Sequence, residues 1–367
     1  MSGKELNRYS IPVTKPFLPP REEYETLLKN VWDLNWLTNN GPFVKELEED
    51  LKKYLGIPNI CYVSNGTIAL QIAIKALKLN GEIITTPFSY VATTSSIVWE
   101  GCKPVYVDID PDTFNLDPDK IEEAITDKTS AIIATHVYGN PCDIEAIQNL
   151  ADQYNLKVIY DAAHCFGVKY KGQSIYSYGN ISTASFHATK LYHTIEGGAL
   201  ITRDPELNKK IQFMRNFGHN GPENFAGLGI NGKNSEFHAV MGLVNLNYIG
   251  QILSQRKKLS KQYDEWLGEL NLSKPTISQD SVYNYSYYPV LFDDETQTMK
   301  TIKALAEEGI QARRYFYPLL SKLDYTRDFT LPIAESIASR IVCLPLYHQL
   351  ESDSMEKIVD IIFKSIR

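Results

Sequence analysis

Seven short runs of β-forming residues alternate with helical segments between residues 59 and 202, and this alternation constrains the fold more than any other feature of the chain. The segments between the runs are amphipathic; in residues 143–154, for example, Ile144, Ile147 and Leu150 fall on one helical face. The runs are residues 59–64, 82–86, 103–108, 131–136, 157–161, 181–186 and 198–202. Strands that alternate with helices form a largely parallel sheet covered on both faces, so the pattern predicts an α/β domain.

The chain divides into three predicted parts. Residues 1–20 have four prolines between positions 12 and 20 and no helical period, which indicates an extended arm. Residues 21–250 hold the alternating pattern and form the large domain. In residues 251–367 the regular alternation ends. The predicted elements there are a charged helix (255–270), an aromatic strand (283–292), a helix (298–308), a strand (311–318) and a last helix (352–365). This order predicts a small α+β domain that closes over the large one.

Composition excludes several classes of function. A net charge of -7 and a pI near 5.6 give no basic surface for nucleic acid or anionic membranes. The N-terminus is polar and no apolar run approaches the length of a membrane span, so we expect a cytoplasmic protein. The five cysteines are odd in number and form no C-x-x-C pair, which argues against disulfides and against a metal site.

Lys190 is the first candidate for a catalytic residue. It follows a β-prone run and precedes the pair Gly197-Gly198, a setting in which a partly desolvated amine loses its proton near neutral pH and forms a Schiff base with an aldehyde. Asp161 ends another β-prone run, and ligands bind at the carboxyl ends of strands in open α/β sheets. This pair suits pyridoxal phosphate (PLP), because the carboxylate keeps the pyridine nitrogen protonated while the lysine holds the aldehyde. The alternative is a surface lysine after a strand.

A phosphate site is predicted at Asn65, Gly66 and Thr67, where a strand feeds a glycine turn that opens a helix. Free backbone N–H groups and the positive end of the helix dipole meet at such a turn. The Ser185 hydroxyl, five residues before Lys190, is a further candidate ligand of the same phosphate. The alternative for Thr67 is a plain helix cap.

Six segments, taken in order, resemble the successive motifs of the DegT/DnrJ/EryC1/StrS family of sugar aminotransferases, and the match extends from about residue 10 to the C-terminus. These segments are Ser64-Asn-Gly-Thr67, Thr86-Pro-Phe-Ser-Tyr90, Asp161-Ala-Ala-His164, Ser185-Phe-His-Ala-Thr-Lys190, Glu196-Gly-Gly198 and Gly229-Ile-Asn-Gly-Lys-Asn-Ser-Glu236. The resemblance implies fold type I of the PLP enzymes, with a large seven-stranded domain and a small C-terminal domain. It also implies a homodimer with shared active sites and ping-pong transfer of an amino group from L-glutamate to a nucleotide-linked keto sugar.

The resemblance also assigns roles to individual residues. Tyr90 stacks on the pyridine ring, His164 hydrogen-bonds the ring hydroxyl, and Asn231 reaches the cofactor phosphate of the other subunit. Two positions depart from the family pattern: His164 stands where glutamine is common, and Asn231-Gly-Lys233 replaces Asn-Tyr-Arg, so that a lysine point charge replaces an arginine fork.

Candidate substrate contacts lie in three places. The first is the turn-rich loop 37–42 with Thr38 and Asn39, the second is His187 beside Lys190, and the third is the segment 311–318 with Arg314 and Tyr317. In the last segment Arg313 and Tyr315 are equally open choices, and a solvated arginine pair beside packed aromatics is the alternative. For loop 37–42 the alternative is a plain connector.

The opening segments 11–20 and 37–42 resemble most the branch that aminates C4 of dTDP-4-keto-6-deoxyglucose. A C3 transaminase of a dTDP-3-keto-6-deoxyhexose is the alternative, as is a transaminase of a UDP- or GDP-linked 4-keto sugar. A sugar dehydratase of the same family carries histidine in place of the lysine, so Lys190 argues against it. A regulatory protein that has lost activity is a further alternative, against which the retained Asp161, Ser185 and Lys190 speak.

Overall fold

Helices and strands alternate through the first two thirds of the chain, in a computed structural model that describes residues 10–326 and 329–366. The helices are α1 (Arg21–Leu34), α2 (Pro42–Leu55), α3 (Gly66–Ala76), α4 (Val91–Trp99), α5 (Ile144–Gln153), α6 (Pro205–Arg215), α7 (Glu236–Leu246), α8 (Ile249–Trp266), α9 (Glu295–Glu307), α10 (Pro332–Arg340) and α11 (Ser352–Ile366). The strands are β1 (Ile60–Val63), β2 (Glu82–Thr85), β3 (Lys103–Tyr106), β4 (Thr129–Thr135), β5 (Lys157–Asp161), β6 (Lys169–Tyr170), β7 (Gln173–Ser174), β8 (Ile181–Ser185), β9 (Gly198–Ile201), β10 (Ser281–Val282), β11 (Tyr288–Leu291) and β12 (Ile341–Leu344).

The seven predicted strands of the large domain form one sheet in the order β1-β9-β8-β5-β4-β2-β3. Six of them run parallel, and β9 is antiparallel to both of its neighbours. The prediction of a mostly parallel seven-stranded sheet is confirmed. The carboxyl ends of the six parallel strands therefore meet at one edge, where the candidate site residues lie.

Helices cover both faces of the sheet, so both faces are buried. Alternate residues of each strand point to opposite layers. Ile60 and Tyr62 of β1 belong to the core shared with α2, α5 and α7. Cys61 and Val63 of the same strand belong to the core shared with α3 and α6. Burial on both sides explains why these strands appear in the sequence as short apolar runs rather than as alternating ones.

The small-domain sheet differs from the prediction. β11 pairs with β12 in antiparallel register, so the second strand is residues 341–344 and not residues 311–318. The segment 311–318 makes only a single bridge, from Arg313 to Cys343, and Pro318 in it lacks the N–H that a ladder needs. The aromatic strand is also shorter than the predicted 283–292, because only Tyr288–Leu291 pairs. The exact domain boundary near residue 250, where α8 begins, stays a prediction.

The described part of the N-terminal arm, residues 10–20, is extended and is hydrogen-bonded to the small domain. The Ser10 and Ile11 N–H groups donate to the Gly309 carbonyl, and the Leu346 N–H donates to the Val13 carbonyl, all in the small domain. Residues 1–9 of the predicted arm lie outside the described residues. Among the helices that the structure describes, none has the length and apolar character to cross a membrane.

Candidate active site

The predicted residues converge on a cleft of about 540 Å³ at the carboxyl edge of the large sheet. Asp161 is the last residue of β5 and Ser185 the last of β8. Gly198, the first residue of β9, pairs with Ser185 on one side and Val63 on the other, which brings the turn after β1 next to Ser185. The cleft is lined by the predicted residues Asn65, Gly66, Thr67, Tyr90, Asp161, His164, Ser185, His187 and Lys190.

The turn after β1 has the geometry of an anion site. Asn65, not Thr67, caps α3: its side-chain oxygen accepts from the Ile68 N–H at 2.8 Å. The helix-cap alternative for Thr67 is therefore wrong. The Gly66 and Thr67 N–H groups have no intrahelical acceptor, since only residues deeper in a helix have one, and both residues line the cleft. A Cβ on Gly198 would lie 2.7 Å from the Gly66 nitrogen, so only glycine lets β9 pass this close to the turn.

The Lys190 amine lies inside the cleft. Burial lowers its pKa to about 8, and the nearby Asp161 charge partly offsets this effect. Its Nζ is 3.5 Å from the hydroxyl of Tyr287 in the small domain. The prediction from sequence did not include Tyr287, because it lies 97 residues away along the chain and in a tyrosine-rich stretch that gives no signal for any one member. An amine with this pKa is partly neutral near pH 7 to 8, as a nucleophile or general base requires.

Asp161 and His164 form the deep wall. Asp161 is buried; its Oδ2 accepts from the Thr93 hydroxyl at 2.7 Å and its Oδ1 from the Ala163 N–H at 3.2 Å. Burial raises the pKa of Asp161, and the Thr93 hydrogen bond opposes that rise. The His164 ring is also buried and stacks on Phe316, and burial holds its pKa well below the usual value, so the ring is neutral. His164 Nδ1 has no hydrogen-bond partner among the described residues and is left to a ligand.

The substrate contacts predicted in segment 311–318 need a correction. Arg313 and Tyr315 line the cleft, with the guanidinium 4.7 Å from the ring centroid, whereas Arg314 and Tyr317 do not. Arg314 points away and donates to Glu295 Oε1 at 2.8 Å and to two backbone carbonyls of α10. In an extended segment successive side chains face opposite sides, so only one arginine of the pair is able to face the site.

Four predicted substrate or cofactor contacts differ in their position relative to the cleft. His187 lines the cleft, and its Nδ1 lies 2.8 Å from the Thr189 hydroxyl. Thr38, Asn39 and Asn231 are exposed and do not line the cleft of their own chain.

The sequence was compared with known proteins and families. The profile of the DegT/DnrJ/EryC1/StrS aminotransferase family matches residues 20–363. The chain belongs to this family. It is 42% identical over 371 residues to an Escherichia coli dTDP-4-amino-4,6-dideoxy-D-glucose transaminase (97% of this chain, 99% of the relative). It is 43% identical over 357 residues to the Shigella dysenteriae transaminase of the same name (95% and 97%).

A solved structure agrees with this assignment to the family. The structure of DesI, determined in the presence of its TDP-sugar product, superposes with a TM-score of 0.92 at 32% identity and covers 99% of this chain and 94% of its own. The protein is therefore a PLP-dependent aminotransferase with an α/β fold.

The residues of this aminotransferase fit PLP group by group. Lys190 would supply an amine for the aldehyde, Asp161 an acceptor for the ring nitrogen, and the unpartnered Nδ1 of His164 an acceptor for the ring hydroxyl. The α3 N-terminus and Ser185 border the space beside the turn at Gly66 and would supply N–H and hydroxyl donors for the phosphate. Every polar group of the cofactor thus has a complementary group in the cleft.

Proposed function

We propose that this aminotransferase transfers the amino group of L-glutamate to C4 of dTDP-4-keto-6-deoxyglucose, with release of 2-oxoglutarate and dTDP-4-amino-4,6-dideoxyglucose. The observation that carries the substrate assignment is the identity of 42% and 43%, over nearly the whole chain, to two transaminases named for that product. The cleft supports transamination as the reaction class, since it contains both a lysine of lowered pKa and a buried carboxylate. Bound PLP supplies the carbonyl that takes up the amino group and a ring that accepts electrons.

The protein's own residues position and move protons. Lys190 would move a proton from the α-carbon of glutamate to the cofactor in the first half-reaction and from the cofactor to the sugar carbon in the second, a role suited to a pKa of about 8. Arg313 is the cation on the small-domain wall of the cleft and binds the donor carboxylate or the sugar diphosphate. Tyr287, Tyr315 and Phe316 complete that wall and limit access of water to the lysine.

The assay for this proposal is an incubation of the purified protein with L-glutamate and either the 4-keto or the 3-keto dTDP-6-deoxysugar, with NMR identification of the amino sugar. Amination at C4 alone supports the proposal, and Lys190→Ala must abolish it. Amination of only the 3-keto sugar assigns the enzyme to C3 and overturns the proposed regiochemistry. If neither dTDP sugar reacts while a UDP- or GDP-linked 4-keto sugar does, the nucleotide is the wrong part of the proposal.

The proposal includes a homodimer in which each active site uses two chains. Asn231 is exposed and lies outside its own chain's cleft, so contact with a cofactor phosphate requires a second copy. Loop 37–42 is held to the same region: the Glu236 N–H donates to the Leu37 carbonyl at 3.0 Å, and Glu236 Oε1 accepts from the Gly41 N–H at 2.9 Å. The loop predicted to contact the substrate and the segment predicted to reach the other subunit's cofactor are therefore directly connected.

Exposed apolar side chains around this unit support the dimer. Leu34, Trp36 and Leu37 are 55%, 50% and 51% exposed, and Phe217 and Leu228 are 48% and 72% exposed. Large apolar groups gathered beside a site in this way are typical of a subunit interface.

The five buried free thiols fit the proposed cytoplasmic location, where cysteines stay reduced.

Mixing two inactive variants tests the shared site. In a heterodimer of Lys190→Ala with Asn231→Ala, one site combines an intact lysine with an intact Asn231 from the other chain, and the second site carries both changes. Random exchange then restores about a quarter of the wild-type sites. If the mixture is no more active than its separate components, Asn231 does not act across the interface.

A further inference from the structure

Three buried hydroxyls form a continuous chain that ends on the Asp161 carboxylate. Thr93 Oγ1 lies 2.7 Å from Asp161 Oδ2, and Ser89 Oγ lies 2.9 Å from both Thr93 Oγ1 and Thr135 Oγ1. All four side chains are buried. They come from three adjacent strands, since Thr135 ends β4, Asp161 ends β5, and Ser89 and Thr93 follow β2. The sheet thus assembles a polar chain at the deep wall of the cleft, which Ser89, Thr135 and Asp161 line.

The number of protons fixes the direction of this chain. An ionised carboxylate only accepts hydrogen bonds, so Thr93 donates its single hydroxyl proton to Asp161. Thr93 must then accept from Ser89, and Ser89 must accept from Thr135, because each hydroxyl has one proton to give. All three O–H dipoles consequently point toward the carboxylate. A protonated Asp161 would instead donate to Thr93 and reverse the order.

Aligned hydroxyls oppose the electrostatic cost of the site. Burial disfavours the ionised form of Asp161, and each hydrogen bond donated to the carboxylate favours it. In a chain, every donor polarises the next, so the final hydrogen bond from Thr93 is stronger than an isolated one. The carboxylate then stays negative without a full counter-charge in direct contact.

We propose that Thr135, Ser89 and Thr93 are positioning residues that keep Asp161 ionised and so keep the pyridine nitrogen of bound PLP protonated. The inference rests on the proposed role of Asp161 at that nitrogen. The hydrogen-bonded chain connects the three residues to Asp161, and through Asp161 they act on the ring. Their loss therefore lowers kcat more than it raises KM, because the ring becomes a weaker electron acceptor while the substrate contacts remain.

The direct test is ¹⁵N NMR of the PLP-loaded enzyme, with the label on the pyridine nitrogen, from pH 6 to 9.5. Thr93→Val removes the last hydroxyl and keeps the shape of the side chain. The pH at which the ring nitrogen loses its proton should fall by about one unit or more, as expected when a hydrogen bond to a charged group is lost. Thr93→Ser retains the hydroxyl and should restore the wild-type titration. An unchanged titration in Thr93→Val overturns the proposal.

Thr94→Val is the matched control. Thr94 is the next residue of α4, is also buried, and has its hydroxyl 3.0 Å from the Tyr106 hydroxyl instead of the carboxylate. It should leave the nitrogen titration unchanged; an equal shift in this variant would mean general loosening of the site and would overturn the proposal. If Thr93→Val does not fold, Ser89→Ala replaces it. The pH at which the ring nitrogen loses its proton should then fall by a smaller amount, and an unchanged value would overturn the proposal.

The NMR readout needs no sugar substrate. If the nitrogen titration shifts in Thr93→Val and the enzyme aminates no dTDP sugar, the role of the hydroxyl chain is supported and only the proposed substrate is refuted. Amination of the 4-keto sugar together with an unshifted nitrogen would retain the substrate and remove the hydroxyl chain.

Discussion

The lowered pKa of Lys190 leads to a quantitative prediction for the apoenzyme. Burial brings the pKa from the ordinary 10.5 to about 8. At pH 7 about one tenth of the amine is then neutral, against roughly 0.03% for an unperturbed lysine, a ratio of about 300. Only the neutral amine attacks an aldehyde, so the bimolecular rate of PLP capture should rise about tenfold per pH unit below pH 8 and level off above it.

The assay is stopped-flow absorbance of apoenzyme mixed with PLP between pH 6.5 and 10, and Nα-acetyllysine serves as the model amine. Pyridoxal without the phosphate provides a second aldehyde that does not ionise in the same way. Lys190→Ala should show no covalent capture. In Asp161→Asn the break should move to lower pH, because the carboxylate charge that favours the protonated amine is removed.

A rate that continues to rise to pH 10, parallel to that of Nα-acetyllysine, would refute the reasoning. It would mean that the amine is solvated in the apoenzyme and that burial does not set its reactivity. A break near pH 8 that is the same in Asp161→Asn would retain the burial effect and refute the part assigned to the neighbouring charge.

Three further predictions concern the walls of the cleft. Gly198→Ala should weaken PLP binding by about tenfold or more in an equilibrium titration, because its Cβ would lie 2.7 Å from the Gly66 nitrogen and displace the phosphate turn; unchanged affinity would show that the turn adapts. Arg313→Ala should raise KM for glutamate or sugar with little change in Tm, and an unchanged KM for both would remove Arg313 from binding. Arg314→Ala should instead destabilise the fold by about 1–3 kcal/mol in urea unfolding with KM unchanged, since it removes hydrogen bonds to Glu295 and α10.

Most of the cofactor site was predictable because each part is local in sequence. Ser185 and Asp161 stand at the ends of β-rich runs, Lys190 lies five residues after one, and Gly66 stands between a strand and a helix, so strand order brings them to one edge. The small domain was harder to predict. Its second strand, β12, follows α10 and pairs with β11 in antiparallel register. Nothing in the local sequence distinguishes residues 341–344 from the apolar face of a helix.

Tertiary structure decided which neighbouring residues face the cleft. Arg313 and Arg314 are adjacent and chemically equal in the sequence, and only the bridge from Arg313 to Cys343 fixes which of them turns inward. Tyr287 reaches Lys190 only because the small domain closes over the large one.

The sequence by itself determined the α/β architecture and indicated the candidate lysine, the candidate carboxylate and the candidate phosphate turn of the PLP site. These depend on periodicity and on residues next to strand ends, which are properties of short segments. The hydroxyl chain that ends on Asp161 was decided only by the tertiary structure. Thr93, Ser89 and Thr135 are ordinary polar residues in the sequence, and their hydroxyls align because β2, β4 and β5 are neighbours in the folded sheet.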